Sequence, residues 1–546
     1  MTPASPVGLA LGWSRLVAVF VADVALLGVG TVAGGRSGWW VGLIAAVLIT
    51  AAALGCWRGA PVLTLAWRAV GARRGVLGVP AGRLADHERT FGSGPVGIRA
   101  VGAHLVAVVA VDGQPHSPSV LDYPRVVSMT ALPLETVAAG LRQFDVRLEG
   151  IDVLSVGSRR APRTHHPYAE AYSSEVGDHP AVGQRRTWLV VRLNAASSAR
   201  AVLWRESVAA TLTAAAEWVV QELTNLRIGA RVLTADQIRT ADQALLAGAE
   251  SAELAPRWGH LRHPGGYVHT YWMSPRDIND ANIDRLWTPD TQATVVSVQL
   301  RLTPAGATTV GVAVRYHSGS VLPEPPLSGL NPFTGRHDGA LRAGMITADT
   351  VMGVPARELP AGQRLRMPIG ASGIIIGATA SGHPLLIDLL DPTGPATMTI
   401  AGELALTAAI ARRAAATGYQ VQVCTQRPHR WKEITATGLQ VMELAALAQQ
   451  SLASGAPVLV VFDEVDGPIA QGAAVTVRII AATSSSSADV HLAQDGPGHA
   501  VLRTWAIADR LRIDITEERR LTATVPASQP SHAVGRRAAS VAEILR

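Results

Sequence analysis

The sequence predicts a membrane-anchored α/β protein, with a two-helix transmembrane hairpin followed by two cytosolic α/β units. Three observations predict it. Two apolar stretches of near membrane-spanning length stand close together at the N-terminus. Behind them, short β-branched runs alternate with segments of helical period. A Pro/Gly-rich stretch, residues 322–344, divides that alternation in two.

The apolar stretches run from about Leu16 to Ala33 and from about Trp39 to Cys56. Trp13, Trp39, Trp40 and Trp57 flank them, where indoles favour the headgroup region. Five residues, Gly34 to Gly38, separate the two and leave room for a tight turn. A cleaved leader ending near Val32-Ala33-Gly34 fits less well, because Arg15 alone precedes it and a second apolar stretch follows at once. Buried core helices fit less well too, since neither stretch has a polar stripe. Arg58, Arg68, Arg73 and Arg74 follow the second stretch, against Arg36 alone in the turn, so both termini are expected in the cytoplasm at the inner membrane. Asp23 falls mid-stretch, where an acid costs several kcal/mol unless it faces a partner, and is read as a packing residue. Residues 1–75 form this unit.

The second unit is expected over residues 90–320. Val96–Val101 and Leu105–Val111 read as a strand pair, Pro133–Phe144 as a helix and Val146–Val156 as a strand. Gly157–Arg186 is a polar loop holding His165, His166 and His179; without Cys or a second spaced pair it reads as solvated, not as a metal centre. Thr187–Leu193 is a strand. Arg205–Leu226 follows as a long helix, with Val208, Leu212, Ala215, Val219, Leu223 and Leu226 on one face. Gly229 ends it, Ala230–Leu233 is a strand, and Thr234 caps a helix over Ala235–Leu246. This order predicts a parallel layer. Tyr267–Trp272, Thr294–Leu302 and Thr308–Tyr316 add strands.

The third unit, residues 345–546, repeats the alternation. Strands are expected at Gly373–Ala378, Leu385–Leu389, Ala396–Ala401, Tyr419–Thr425, Val458–Phe462 and Val475–Ala482. Helices are expected at Glu403–Ala416, at Val441–Ser451 and over the last dozen residues.

Composition and motifs exclude more chemistry than they offer. Hydrophobic residues make up 48% and charged residues 16%, which excludes a mainly disordered chain. The net charge of +6 rests almost wholly on arginine, with Lys432 the one lysine, and no basic run carries interleaved aromatics for nucleic acid. Cys56 and Cys424 are too few for a disulfide framework and fit a reducing compartment.

Gly394–Gly402 leads from a strand into a helix, and Val458–Phe462 runs into Asp463, Glu464 and Asp466; together they imitate a phosphate-binding loop with its acidic strand. The G-x-x-x-x-G-K-[ST] spacing is absent, Glu403 follows Gly402, and Lys432 lies far downstream. An anion at that helix start occupies the place a phosphate would take, so an ordinary strand–turn–helix is expected. Asp388 and Asp391 read as solvated strand ends. No catalytic residue, metal ligand or cofactor-binding residue is assigned. The competing reading is an anchored nucleotide-binding or glycosyltransferase-like enzyme that uses residues 345–546.

Several of these segments resemble the EccE family of type VII (ESX) secretion membrane complexes. The likeness rests on Arg186-Thr187-Trp188-Leu189-Val190-Val191-Arg192-Leu193, on Ala201-Val202-Leu203-Trp204-Arg205 with the helix behind it, and on Gly229 and Val232-Leu233-Thr234-Ala235. Pro95–Arg99 and Phe144–Val156 extend it, so that it covers about residues 10–310. The resemblance implies an actinobacterial, non-enzymatic subunit at the periphery of an inner-membrane assembly. It implies EccB, EccC and EccD components as partners, with the ATPase in EccC and a mycosin protease associated. Trp188 and Trp204 are the expected docking residues.

Overall fold

The computed structural model describes residues 7–9, 13–57, 60–61, 82–161 except 91 and 93, 167–349, 352–431, 438–449, 456–465, 472–480 and 487–514. Arg58, Arg68, Arg73, Arg74, His165, His166, Lys432, Asp466 and the C-terminal helix lie outside them, as do the side chains of Trp13, Trp57 and Arg36.

The expected transmembrane hairpin is corrected. α1 (Trp13–Leu54) stays helical through the expected break and reverses direction within it. Among the described residues no helix is long and apolar enough to cross a membrane. The run doubles back on itself. Thr50 Oγ1 donates to an Asp23 carboxylate oxygen at 2.7 Å although 27 residues separate them, a span that a straight helix would stretch to about 40 Å. A Cβ on Gly30 would stand 2.9 Å from Gly42 Cα. Val7–Leu9 pairs antiparallel with Gly55–Trp57. The fold-back lies between Gly30 and Gly38, so each limb is about 26 Å long, short of the ~30 Å hydrocarbon core. The first apolar window, Leu16–Ala33, overstates the reach because its inner end is used in the reversal.

The first large sheet is antiparallel. Its strands are β1 (Arg83–His87), β2 (Val96–Val101) and β3 (His104–Asp112) and, after the hairpin β4 (Pro118–Asp122) and β5 (Arg125–Ser128) that joins the second sheet, β6 (Gly150–Ser158) and β7 (Gln184–Asn194). Helices α2 (Val208–Asn225) and α3 (Ala235–Leu246) follow. Then come β8 (Gly266–Met273), β9 (Ala293–Leu302), β10 (Thr308–Ser318) and helix α4 (His337–Ala343). The main path is β8-β10-β9-β6-β7-β3-β2-β1. The expected parallel layer is therefore corrected. The crossover through α2 does join two parallel strands, β7 and Gly229–Val232, but both pair antiparallel with β3, which inserts between them.

Both faces of this sheet are covered. Val109, Val191, Val298 and Val312 meet Leu212, Ala215, Val219 and Leu223 of α2 in the main core. Leu154, Trp188 and Val190 meet Ile238, Ala241 and Leu245 of α3 in another. Ser207 caps α2, and Thr234 with Gln237 forms a capping box on α3. Within the sheet, Asp152 on β6 is fully buried between two arginines. Arg192 Nε lies 2.5 Å from Oδ2 and Arg301 Nη2 lies 2.5 Å from Oδ1. Burial alone would raise this carboxyl, but the charges of Arg301 and Arg192 outweigh it and hold it below its ordinary range.

The second sheet begins with a loan from upstream, the hairpin β4 (Pro118–Asp122) and β5 (Arg125–Ser128). Its other members are β11 (Ile374–Ala378), β12 (Pro384–Ile387), β13 (Ala396–Ala401), helix α5 (Leu404–Ala416), β14 (Gln420–Thr425) and β15 (Leu439–Met442). β16 (Val458–Asp463), β17 (Val475–Ile480), β18 (Val490–Gln494), β19 (His499–Arg503) and β20 (Ala508–Arg512) complete it. The order is β15-β14-β16-β17-β13-β18-β19-β20-β11-β12-β4-β5. The first six are parallel, and the runs of β14 and β16 are buried on both faces. The rest pair antiparallel, and β4 meets β12 through Ser119 and Leu386.

Candidate docking surface

A two-residue turn, Phe144-Asp145, joins the paired strands Arg142–Gln143 and Val146–Arg147. Phe144 has φ 54°, a backbone region that disfavours bulky side chains, and is 98% exposed. On a neighbouring loop, after the short helix Ala199–Val202, Leu203 is 75% and Trp204 90% exposed. One ion pair staples the two loops. Arg205 reaches Asp145 with both terminal nitrogens, Nη2 to Oδ1 at 2.7 Å and Nη1 to Oδ2 at 2.9 Å, and also donates to the Ala201 carbonyl. The bond from Arg205 holds the Asp145 carboxyl below its ordinary range. Three large apolar side chains thus stand in solvent on loops fixed by a bidentate pair. A rigid aromatic anchor of this kind suits a protein interface, where buried Trp and Phe carry most of the binding energy.

The residues expected at the site divide. Trp204 is exposed beside Phe144. Trp188 is a core residue, buried between Ala110 on β3 and Leu154 on β6. Asp23 bonds to Thr50 within α1. Trp39 and Trp40 are exposed and stacked at 4.1 Å. Phe144, Leu203 and the Asp145–Arg205 pair were not expected; the signal for them was an apolar residue between Gln143 and Asp145 at a strand reversal. Along α1, Phe20, Val21, Val29, Val41, Ile44 and Leu48 are also uncovered. His179 turns its Nδ1 to the Val176 carbonyl at 2.8 Å, a local loop contact.

The nucleotide-like turn is filled. At the carboxyl ends of the parallel strands, where α/β sheets bind ligands, Gln494 Oε1 accepts from the Glu403 N–H at 2.9 Å. A Cβ on Gly402 would stand 2.8 Å from the same oxygen, so the carboxamide occupies the space over the start of α5. Asp463 is equally engaged. It accepts from Thr425 Oγ1 at 2.8 Å, Arg427 Nε at 3.0 Å and Nη2 at 2.6 Å, and Trp431 Nε1 at 2.8 Å. Oδ2 takes three of these bonds and Oδ1 the one from Arg427 Nη2. Burial would raise this carboxyl, but the bonds from Arg427, Trp431 and Thr425 lower it. Asp391 is bound into a turn by Thr393, while burial pushes Asp388 up to about 7, so it is not the solvated acid expected.

Known proteins place this geometry. The family model described as "Putative type VII ESX secretion system translocon, EccE" matches residues 181–273, from β7 through Trp204, α2 and α3 to the end of β8. The ESX-5 secretion system protein EccE5 of Mycobacterium tuberculosis strain H37Rv is 36% identical over 387 residues, covering 66% of this chain and 95% of that protein. The chain belongs to the EccE family. EccE5 of Mycobacterium marinum is likewise 36% identical, over 384 residues, with 66% and 95% covered. The ESX-2 secretion system protein EccE2 of Mycobacterium tuberculosis strain CDC 1551 is 27% identical over 435 residues, with 79% of this chain and 78% of that protein covered. The EccE family resemblance read from the sequence is thereby established, and Leu203 and Trp204 fall inside the matched family segment.

Proposed function

We propose that this EccE-family chain is a structural, non-catalytic subunit of the type VII (ESX) inner-membrane secretion complex, contributing to its assembly and stability. The observation that carries the reading is the stapled apolar knob of Phe144, Leu203 and Trp204. Side chains of that size stay in water at a cost unless a partner covers them, and the Asp145–Arg205 pair holds them ready for one. The partners are EccB-, EccC- and EccD-like components, with the ATPase supplied by EccC and a mycosin protease associated. The uncovered apolar side chains of α1 give a second contact at the membrane, with Asp23 and Thr50 fastening its two limbs. The filled turn at Gly402 and the engaged Asp463 count against the competing nucleotide reading.

Copurification from mild detergent tests the proposal. The full chain is expected to bring the other membrane components with it, and Phe144→Ser/Leu203→Ser/Trp204→Ser is expected to lose them at unchanged thermal midpoint. A triple variant that retains every partner would refute the assignment of this face.

A further inference from the structure

A buried guanidinium on β10 has no counter-ion. Arg315 is 2% exposed, and among the described residues no carboxylate pairs with it. Burial pulls it down to about 9. Its Nη1 donates to the Leu341 carbonyl at 3.3 Å and its Nη2 to the Leu245 carbonyl, so it touches the ends of α4 and α3. Helix C-termini carry only partial negative charge, about half an electron each, spread over several carbonyls. Its Nε has no hydrogen-bond partner.

Beside this group lies a buried cavity of about 10 Å³, lined by Thr270, Ser297, Ala313, Arg315, Phe333 and Ala340 among others. Strand register explains the convergence. Thr270 on β8 is directly opposite Arg315, and Ser297 on β9 is directly opposite Ala313, two residues along from Arg315. The three polar side chains therefore share one face of the sheet, beneath α4. Among the described residues the buried Thr270 and Ser297 hydroxyls have no hydrogen-bond partner. One more group on this face, His317, has neither ring nitrogen bonded. An unsatisfied buried donor costs about 1–3 kcal/mol, so several around one small cavity point to a missing acceptor.

We propose that the cavity is a binding site for one small monoatomic anion, chloride by its chemistry. Arg315 Nε and the two hydroxyls supply donors, and the lining among the described residues offers no carboxylate to repel an anion or to hold a cation. The volume admits a single particle of about water size and excludes phosphate and sulfate. The anion neutralises the charge that joins the sheet to α3 and α4.

The test is thermal unfolding of the full chain in non-ionic detergent, in sodium chloride against sodium gluconate at equal ionic strength. Chloride at ten times its Kd multiplies the folding constant about 11-fold, read as a midpoint rise of about 1–2 °C. Thr270→Val/Ser297→Ala removes two donors with little change of shape. It is expected to be no less stable than the parent in gluconate and to lose the chloride-dependent rise. Crystals grown in bromide are expected to show an anomalous peak beside Arg315. Equal midpoints in the two salts, a chloride effect that survives in the double variant, or bromide crystals without the peak would each overturn the proposal in favour of a cavity holding water only.

Discussion

Removing Asp152 is expected to be among the most damaging single changes in the first sheet. Its carboxylate is fully buried and serves two guanidiniums, but the two are not equivalent. The Arg301 side chain is 26% exposed and can turn to water, whereas that of Arg192 is 4% exposed and cannot. After Asp152→Ala, Arg192 keeps the Thr347 carbonyl but no counter-ion. One stranded buried charge costs about 3–5 kcal/mol, and that is the expected loss. Asp152→Leu/Arg192→Met removes both buried charges, so it is expected to recover at least half of the loss. Urea unfolding of the full chain in mild detergent, followed by tryptophan fluorescence, reads both values. The carboxyl is held below its ordinary range, so its contribution is intact above about pH 3.9 and is lost as pH falls through the lower folded value. A loss under about 1 kcal/mol for Asp152→Ala, or a double variant worse than the single one, would refute the reasoning.

Other outcomes follow from the same physics. Asp145→Ala and Arg205→Ala break an exposed staple, so each is expected to leave the unfolding midpoint nearly unchanged while weakening copurification with partner components. Burial holds His269 down at about 4 and His337 at about 3, so both rings are neutral in the fold. The unfolded chain takes up more protons below about pH 6.5, so stability should fall as pH drops from there towards 4; for His269 the full effect is roughly 3 kcal/mol, and His269→Phe should flatten the urea midpoint–pH profile. Millimolar ATP with magnesium is expected to give no binding heat with the full chain, and a saturable signal lost in Asp463→Asn would contradict the filled turn at Gly402.

Much of the local structure was legible because its cause is local. The spacing of Leu212, Ala215, Val219 and Leu223 marks the buried face of α2, with Val208 half-buried and Leu226 exposed at its ends, and Thr234 marks the start of α3. What the sequence hid was long-range. The insertion of β3 between two parallel strands leaves no periodic trace in either, so the direction of the sheet could not be read from the strand–helix order. Gln494 closes the turn before α5 from a strand two positions away in chain order from β16, and no local motif announces it. Trp188 sits in an unbroken apolar run, the pattern of a strand covered on both faces, and that pattern outweighs the usual role of tryptophan at interfaces. Phe144 misleads in the opposite way. Glycine or asparagine ordinarily takes positive φ in a two-residue turn, so a phenylalanine there reads as the end of a buried helix.

The β4–β5 hairpin has a practical consequence. Its strand Pro118–Asp122 pairs with β12 and leaves Arg125–Ser128 at the edge, while Arg366–Pro368 pairs back with Ala131–Pro133 and Ala356–Glu358 with β10. A truncation at the Pro/Gly-rich stretch would strip β12 of its neighbour and expose a bare edge that recruits other chains. Conversely, a proteolytic nick there would leave the halves clasped by main-chain hydrogen bonds. During synthesis the hairpin leaves the ribosome long before Leu386 exists to receive it, so neither sheet matures alone, and the chain is expected to become protease-resistant in one late step rather than two.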